Sequence, residues 1–390
     1  MNRNVVLLSL CQALLTTGNI LLVAVTGLIG RELAPSASLT TLPVAFQFVG
    51  LMLATIPASL IMRRVGRRNG FYLGNSVGIA GALVCVLALS GSQFMLFCLG
   101  TFLLGIGIGF GTLYRFAAVE ACQPGEEGNA ISLVMAGGVL AAVLGPNLAI
   151  YSRQWFGEQS FTGAFTALLL LYIIALILLS RIRMEDGASP EAAGTVRPLS
   201  EILLQPGFIS AVVTGMVSYT VMVLLMTATP LAMQRCGFSF ASAATVIEWH
   251  VLGMFAPAFV TGQLISRFGV RNIIQLGGVL FLGCIALNLH GTSEWHFRAA
   301  LLLLGVGWNF MFIGATQLVT RTYSPAEKAK TQAANEFLIF SMVTLASLGA
   351  GWMESTLGWA TTNMLMLPLV LWAMLVVGWF SRKAAAVTCN

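Results

Sequence analysis

Four ionisable residues lie inside long apolar stretches of the sequence, namely Glu248, His250, Glu336 and Arg115. If these stretches cross a membrane, each internal charge costs about 2.5–3.5 kcal/mol on insertion scales, so each residue is a candidate for function. Carboxyl and imidazole groups in such surroundings can bind and release protons. The pattern predicts proton exchange, with Glu248 as first candidate and His250 or Glu336 assisting.

Each of these residues also has a second interpretation. Glu248 could form an ion pair, and His250 could be a packing histidine. Their i,i+2 spacing places them about 200° apart on a helix, so we expect them to face different neighbours. Glu336 could instead close a gate by pairing with Arg63 or Arg64.

Arg115 could hold an anionic substrate or pair with Glu120. An i,i+5 spacing turns those two side chains apart, which leaves substrate binding open. The alternative is an arginine that reaches towards the membrane surface.

The elements that must position these residues follow from composition. Of 390 residues, 57% are hydrophobic and only 9% are charged, whereas a soluble chain carries roughly 25% charged residues. This excludes a soluble enzyme and a disordered chain. Seven scattered cysteines without CxxC spacing predict neither a disulfide framework nor a metal site. The net charge of +6 has no domain-sized basic surface, so we expect no nucleic-acid partner.

Twelve apolar segments of spanning length can be marked off between charged or Gly/Pro-rich breaks, which predicts an all-α integral membrane protein. With this count, sixteen of the twenty basic residues fall on one side. Because Lys and Arg are retained in cytoplasmic loops, we expect both termini in the cytoplasm of a cell whose inner membrane holds the chain.

The chain divides into two similar halves. Residues 1–181 are predicted to form one six-helix bundle, 182–206 a cytoplasmic linker, and 207–390 a second bundle. Arg64, Gly66 and Arg68 recur 203 positions later as Arg267, Gly269 and Arg271. A second match, 200 positions apart, joins Leu-Leu-Gly-Ile-Gly ending at 107 to Leu-Leu-Gly-Val-Gly ending at 307. Such duplication is typical of transporters whose two bundles rock about a central site.

These features resemble the major facilitator superfamily. The Arg64-x-Gly66-Arg67-Arg68 loop is similar to that family's loop motif between spans two and three, although Arg63 stands where an Asp is expected. Gly145-Pro146 in span five is similar to an element of the family's drug/proton antiporters, where it packs helices. The resemblance implies twelve transmembrane helices in two pseudo-symmetric six-helix bundles.

The resemblance also implies roles for further residues. In the family the basic loops and a carboxylate on a neighbouring span form a cytoplasmic gate, which here comprises Arg63, Arg64, Gly66, Arg67, Arg68, Glu120, Arg267, Gly269 and Arg271. Spans one, four, seven and ten line the family's cavity. The polar and aromatic residues expected to recognise substrate are Gln12, Asn19, Arg115, Tyr219, Trp249, Trp308, Asn309 and Gln317.

The sequence therefore predicts a monomeric secondary transporter that moves a small organic molecule by alternating access, without cofactor or metal, and exchanges it for protons as an efflux antiporter. Uptake of a metabolite such as a vitamin or sugar, by proton symport or facilitated transport, is the alternative. A membrane enzyme or a non-transporting receptor is a less favoured class, because the sequence has no HExxH motif, no paired carboxylates at the membrane face and only a short linker.

Overall fold

A computed structural model describes residues 3–122, 127–156, 161–182 and 197–387, and every regular element in these ranges is helical. Two 3₁₀ turns lie at Ala37–Leu39 and Pro325–Glu327. The α-helices are α1 Arg3–Leu33, α2 Leu42–Val65, α3 Arg67–Ser90, α4 Phe94–Gly111, α5 Tyr114–Ala121, α6 Glu127–Ser152, α7 Thr162–Ser180, α8 Leu199–Leu203, α9 Pro206–Arg235, α10 Phe240–Phe255, α11 Ala258–Phe268, α12 Val270–His290, α13 Glu294–Thr320, α14 Lys328–Met364 and α15 Leu367–Val387.

The described helices account for the twelve predicted spans. Nine continuous helical stretches are long and apolar enough to cross a membrane, and α10 and α11 form a tenth span that is bent by 43°. The apolar part of α6, Gly137–Ser152, supplies another. Gly358, with φ 80°, divides the long stretch Lys330–Trp379 into two passes. We refer to α1–α7 as the first half and to α8–α15 as the second half.

The two ends of the helix bundle carry different amounts of charge. Arg64 and Arg68 lie where α2 meets α3, and Arg267 and Arg271 lie at the matching junction of α11 and α12. We call this the basic end. We call the opposite end, which includes the turn Ala37–Leu39, the far end.

Glycine makes the matching turns of the two halves possible. Gly66 between α2 and α3 has φ 86°, and Gly269 between α11 and α12 has φ 84°. Side chains with a Cβ rarely adopt this part of φ/ψ space. The sequence repeat therefore corresponds to the same tight helix-to-helix connection in each half.

The packing of α4 and α13 repeats in the same way. A Cβ at Gly105 would collide with the carbonyl of Gln47 on α2, and one at Gly305 would collide with the carbonyl of His250 on α10. Small residues let helix backbones approach closely where lipid offers no hydrophobic driving force. The matched glycines thus permit the same close helix contact in each half.

The last part of the predicted linker is bound to the second half. Arg197 donates from Nε and Nη2 to Glu327 at 2.8 and 2.7 Å, and its backbone N–H donates to the same carboxylate at 2.9 Å. Glu327 is 1% exposed, and the hydrogen bonds from Arg197 hold the pKa of its carboxyl well below the usual range. This contact anchors the chain just before α8 and α9.

Candidate functional site

An opening between the two halves runs from the basic end to the middle of the bundle. Along α9, Val213, Met216 and Tyr219 are partly exposed on one stripe, whereas every residue from Thr220 to Met233 is buried. Along α1, Gln12, Thr16 and Asn19 are partly exposed, whereas residues 24–30 are all buried. Lipid exposure would continue along the whole helix, so this exposure marks an opening that ends near Tyr219 and Asn19.

Four aromatic rings of the second half meet at the closed end of this opening. Trp308 and Phe312 are stacked at 4.8 Å with planes 10° apart. The Tyr219 ring lies edge-on to Trp308, Phe312 and Phe340, with centroids 5.5 Å from each. Tyr219 and Phe312 remain partly exposed. We call these four residues the aromatic cluster; its geometry suits a flat apolar ligand surface.

Three amide side chains of the first half lie on α1 and α2, with Gln12 about two turns nearer the basic end than Asn19. Gln47 on α2 donates from Nε2 to Oδ1 of Asn19 at 2.8 Å, and Gln12 donates to Oγ1 of Thr16 at 3.1 Å. The Oε1 atoms of Gln12 and Gln47 are buried without a hydrogen-bond partner. We call Gln12, Asn19 and Gln47 the amide cluster. Gln47 is not among the predicted cavity residues, because the cavity lining of the family comes from other spans.

Two further residues predicted to line the cavity are Asn309 and Trp249. Asn309 is 1% exposed; it donates to the carbonyl of Met254 and accepts from Thr261, both at 2.6 Å. Asn309 therefore hydrogen bonds to the groups at the bend between α10 and α11. Trp249 is 41% exposed on the side of α10 that it shares with Ala256, opposite buried Ile247. No described contact places Trp249 beside the aromatic cluster, so its role in the cavity stays a prediction.

Gln317 lies on a different face of α13 from the aromatic cluster. It follows Trp308 by nine residues, which places the two side chains about 180° apart. Ile313, one turn before Gln317, packs with Ile265 and Ile273 of α11 and α12. The side chain of Arg115, a further predicted cavity residue, lies outside the described part of the chain.

Glu248 connects the two halves. Its carboxylate accepts a hydrogen bond from Nδ2 of Asn147 on α6 at 3.2 Å, so α6 of the first half meets α10 of the second here. On the other side of the same α6 segment, a Cβ at Gly145 would lie 2.8 Å from the Ile20 side chain. The Gly145-Pro146 element thus packs α6 against α1 directly beside the Glu248 contact.

His250 and Glu336 lie apart from Glu248. His250 is completely buried against α13, with Nδ1 2.9 Å from the Leu301 carbonyl and Nε2 without a partner. Glu336 is partly exposed in the basic half of α14, 3.4 Å from the Asn335 amide. The three candidate proton-binding groups do not form one cluster, so any shared role would act through conformational change.

The predicted gate residues at the basic end contact their own halves. Arg68 donates to Tyr72 and to the Ser180 carbonyl, both at 3.4 Å, and Arg267 lies 5.2 Å over the ring of Phe268. Arg64 is exposed, and Arg67 lies 3.9 Å from the sulfur of Met62. The side chains of Arg63 and Glu120 lie outside the described part of the chain, so their pairing stays a prediction.

The far end contains contacts between halves that the sequence analysis did not predict. Arg31 donates to Gln234 at 3.1 Å, and Thr41 donates to the Leu348 carbonyl at 3.2 Å. Arg153 lies over the rings of Phe161 and Phe240, at 4.7 and 5.2 Å. We call this set the far-end seam. The sequence contains one signal for these contacts, namely arginines on the side of the membrane that carries few basic residues.

A cavity of about 120 Å³ lies within the far-end seam. Glu32 and Arg153 contribute charged groups to its lining, and Gln234 and Ser239 contribute an amide and a hydroxyl. The seam closes the bundle at the end opposite the central opening. Together the two features describe a path that is open on one side of the membrane and shut on the other.

Comparisons with known proteins agree with this geometry. The sequence profile of the Major Facilitator Superfamily matches residues 7–347. The riboflavin transporter RfnT of Brucella anthropi is 42% identical over 370 residues, covering 94% of this chain and 93% of the relative. The multidrug resistance protein MdtL of Klebsiella pneumoniae is 24% identical over 283 residues, covering 72% and 69%. The crystal structure of a D-xylose–proton symporter superposes with a TM-score of 0.74 at 15% identity, covering 96% of both chains.

Proposed function

Because the chain belongs to the Major Facilitator Superfamily and is a multi-pass membrane transporter, we propose that it carries riboflavin or a closely related flavin into the cell by alternating access. The observation that carries this proposal is the 42% identity to a riboflavin transporter over nearly the whole of both chains. Cells accumulate a vitamin rather than expel it, so we place the uptake alternative above drug efflux.

The arrangement of the central opening supports a flavin as substrate. A flat aromatic ring system with carbonyl and N–H groups needs stacking surfaces and a few polar partners. The aromatic cluster belongs to the second half, and the amide cluster belongs to the first half. We infer that the basic end faces the cytoplasm, because most Lys and Arg residues lie there.

We propose that protons drive the transport and that Glu248 binds them. Its carboxylate is partly buried within a span and hydrogen bonded across the two halves, so protonation would weaken this contact just where the halves must separate. His250 and Glu336 are the secondary candidates for proton binding. The gate at the basic end would then form when the central opening closes.

Proton-coupled drug efflux is the second candidate function. The similarity to MdtL and the position of Gly145 and Pro146 beside the Glu248 contact favour it. The same fold can move substrate in either direction, so the direction of the imposed gradient must decide between the two.

Purified protein in proteoliposomes tests both functions. We expect vesicles preloaded with riboflavin to exchange it for labelled riboflavin outside, and acid on the far-end side to drive accumulation on the basic-end side. Counterflow of drugs but not of riboflavin would replace the proposal with efflux. Counterflow of neither would remove both.

A further inference from the structure

Two buried polar atoms near the closed end of the central opening, and a third about two helical turns nearer the basic end, have no hydrogen-bond partner. Trp308 is 9% exposed and its Nε1 donor is unpaired, whereas Gln47 is 1% exposed and its Oε1 acceptor is unpaired. Gln12 adds a second unpaired acceptor on the first half. Buried polar groups are nearly always hydrogen bonded, and an unpaired one costs about 1–3 kcal/mol. Unpaired buried atoms also occur at Trp359 and His250. Trp308 and Gln47, however, contact Phe312 and Asn19, which remain partly exposed at the opening, so a bound group can supply their missing partners.

The unpaired atoms are complementary in type and lie on opposite halves. The second half offers a donor beside a ring stack, and the first half offers acceptors. A ligand between them must present an acceptor to Trp308 and a donor to Gln47. It must also be flat enough to lie against Phe312 and Tyr219, the two members of the aromatic cluster that remain partly exposed.

We propose that these residues read the pyrimidine edge of a flavin ring, with Trp308 Nε1 donating to a ring carbonyl and Gln47 Oε1 accepting from the imide N–H. The assignment rests on the proposed function. An isoalloxazine carries that N–H between two carbonyls on one edge of a flat tricyclic system, which matches the order donor, acceptor and stacking surface. Both protein atoms are covered in this conformation, so they engage as the halves close around the substrate.

Asn19 is a positioning residue in this arrangement. It accepts the Gln47 Nε2–H at 2.8 Å, which occupies the donor end of the amide and leaves Oε1 as the group available to substrate. A buried side chain held in this way has little freedom to rotate. The Asn19–Gln47 pair therefore distinguishes an imide N–H from a ring position that lacks one.

The test uses purified full-length protein and the quenching of flavin fluorescence on binding. Trp308→Phe keeps a smaller aromatic ring and removes the N–H, so we expect riboflavin to bind about tenfold more weakly. Trp359→Phe is the matched control. Its Nε1 is also buried and unpaired, but its ring packs on Phe297 near the far end at 5.5 Å, so we expect unchanged binding.

A second pair of measurements tests the acceptor. Riboflavin methylated at the imide nitrogen should bind the native protein about tenfold more weakly than riboflavin itself. In Gln47→Met this preference should disappear, because the acceptor is gone. Gln275→Met is the control, since that amide donates to the Met374 carbonyl within the second half and should keep the preference.

The outcomes separate the inference from the proposed function. Native protein that neither binds nor exchanges riboflavin would overturn both. Native binding with equal losses in Trp308→Phe and Trp359→Phe, or an intact methyl preference in Gln47→Met, would overturn the assigned residues and leave the function standing. If a variant is not monodisperse after purification, Phe312→Leu replaces it. We expect this variant to lose most of the quenching of flavin fluorescence, because the stacking ring is gone, and to lose a smaller part of its affinity for riboflavin.

Discussion

The far end and the basic end of this protein are built from similar residues but hold the two halves differently. At the far end, Arg31 and Arg153 reach across to Gln234 and Phe240 of the other half. At the basic end, Arg68 and Arg267 contact groups of their own half. Arg31 and Arg153 therefore join the two halves at the far end, whereas the contacts of Arg68 and Arg267 stay within one half.

The largest expected effect comes from preventing the far-end seam from opening. Thr41→Cys combined with Leu348→Cys, joined by a short bifunctional thiol reagent, should reduce riboflavin counterflow at least about tenfold, because alternating access requires the seam to part. A reducible reagent should make the loss reversible. The two single variants treated identically are the controls. Full transport by the cross-linked protein would show that the far end does not gate the path.

The next effect concerns the contact that spans the halves inside the membrane. Glu248→Gln should lower proton-driven accumulation about tenfold or more, yet leave counterflow largely intact, because the amide still bonds Asn147 but cannot release a proton. Gradient-driven and exchange transport are measured in the same vesicles. Glu294→Gln is the control, since that carboxylate pairs with Arg298 on its own helix at 2.5 Å. Unchanged accumulation would remove Glu248 from proton coupling.

A smaller effect is expected from weakening the seam by one hydrogen bond. Arg31→Gln should destabilise the closed far end by about 1 kcal/mol, which is roughly a fivefold shift in population. The readout is alkylation of Thr227→Cys from the far side in a Cys236→Ser background, since Thr227 is buried near the seam. Arg298→Gln should leave the rate unchanged. An equal rise in both variants would mean that charge alone, not the cross-half contact, matters.

The smallest effect is expected outside the gates, at the contact between Arg197 and Glu327 just before α8. Glu327→Gln should lower the melting temperature at neutral pH, since it removes the ion pair with Arg197. The pKa of Glu327 is held below its usual range, so its contribution is present above the ordinary carboxyl pKa of about 4 and is lost as the pH falls further. The two proteins should therefore converge in acid. A gap that persists in acid would assign the loss to packing instead.

Much of the fold could be predicted from residue patterns alone. Apolar length predicted the spans, and the recurrence of Gly66 as Gly269 predicted matching loops in the two halves. Both loops are tight turns with a positive φ at the glycine, a conformation that few other residues adopt. The i,i+2 spacing of Glu248 and His250 predicted different neighbours, which they have. These features depend on chain-local chemistry, so the sequence contains them.

The candidate site was predicted only in part. Tyr219 and Trp308 do meet at the closed end of the opening, whereas Asn309 is buried and hydrogen bonds to Met254 and Thr261 at the bend between α10 and α11. Gln47 was missed as a site residue. Lipid and protein interior are equally apolar, so a spanning helix shows no stripe that tells which side faces a partner.

The sequence by itself therefore determined the membrane class, the duplicated helices and the few ionisable residues worth their cost inside the bilayer. Only the tertiary structure decided which end is shut, which helix Glu248 meets, and which polar atoms are left unpaired beside the aromatic cluster. Hydrophobicity determines how deep a residue lies, whereas its direction around the helix is set by contacts between helices distant in sequence.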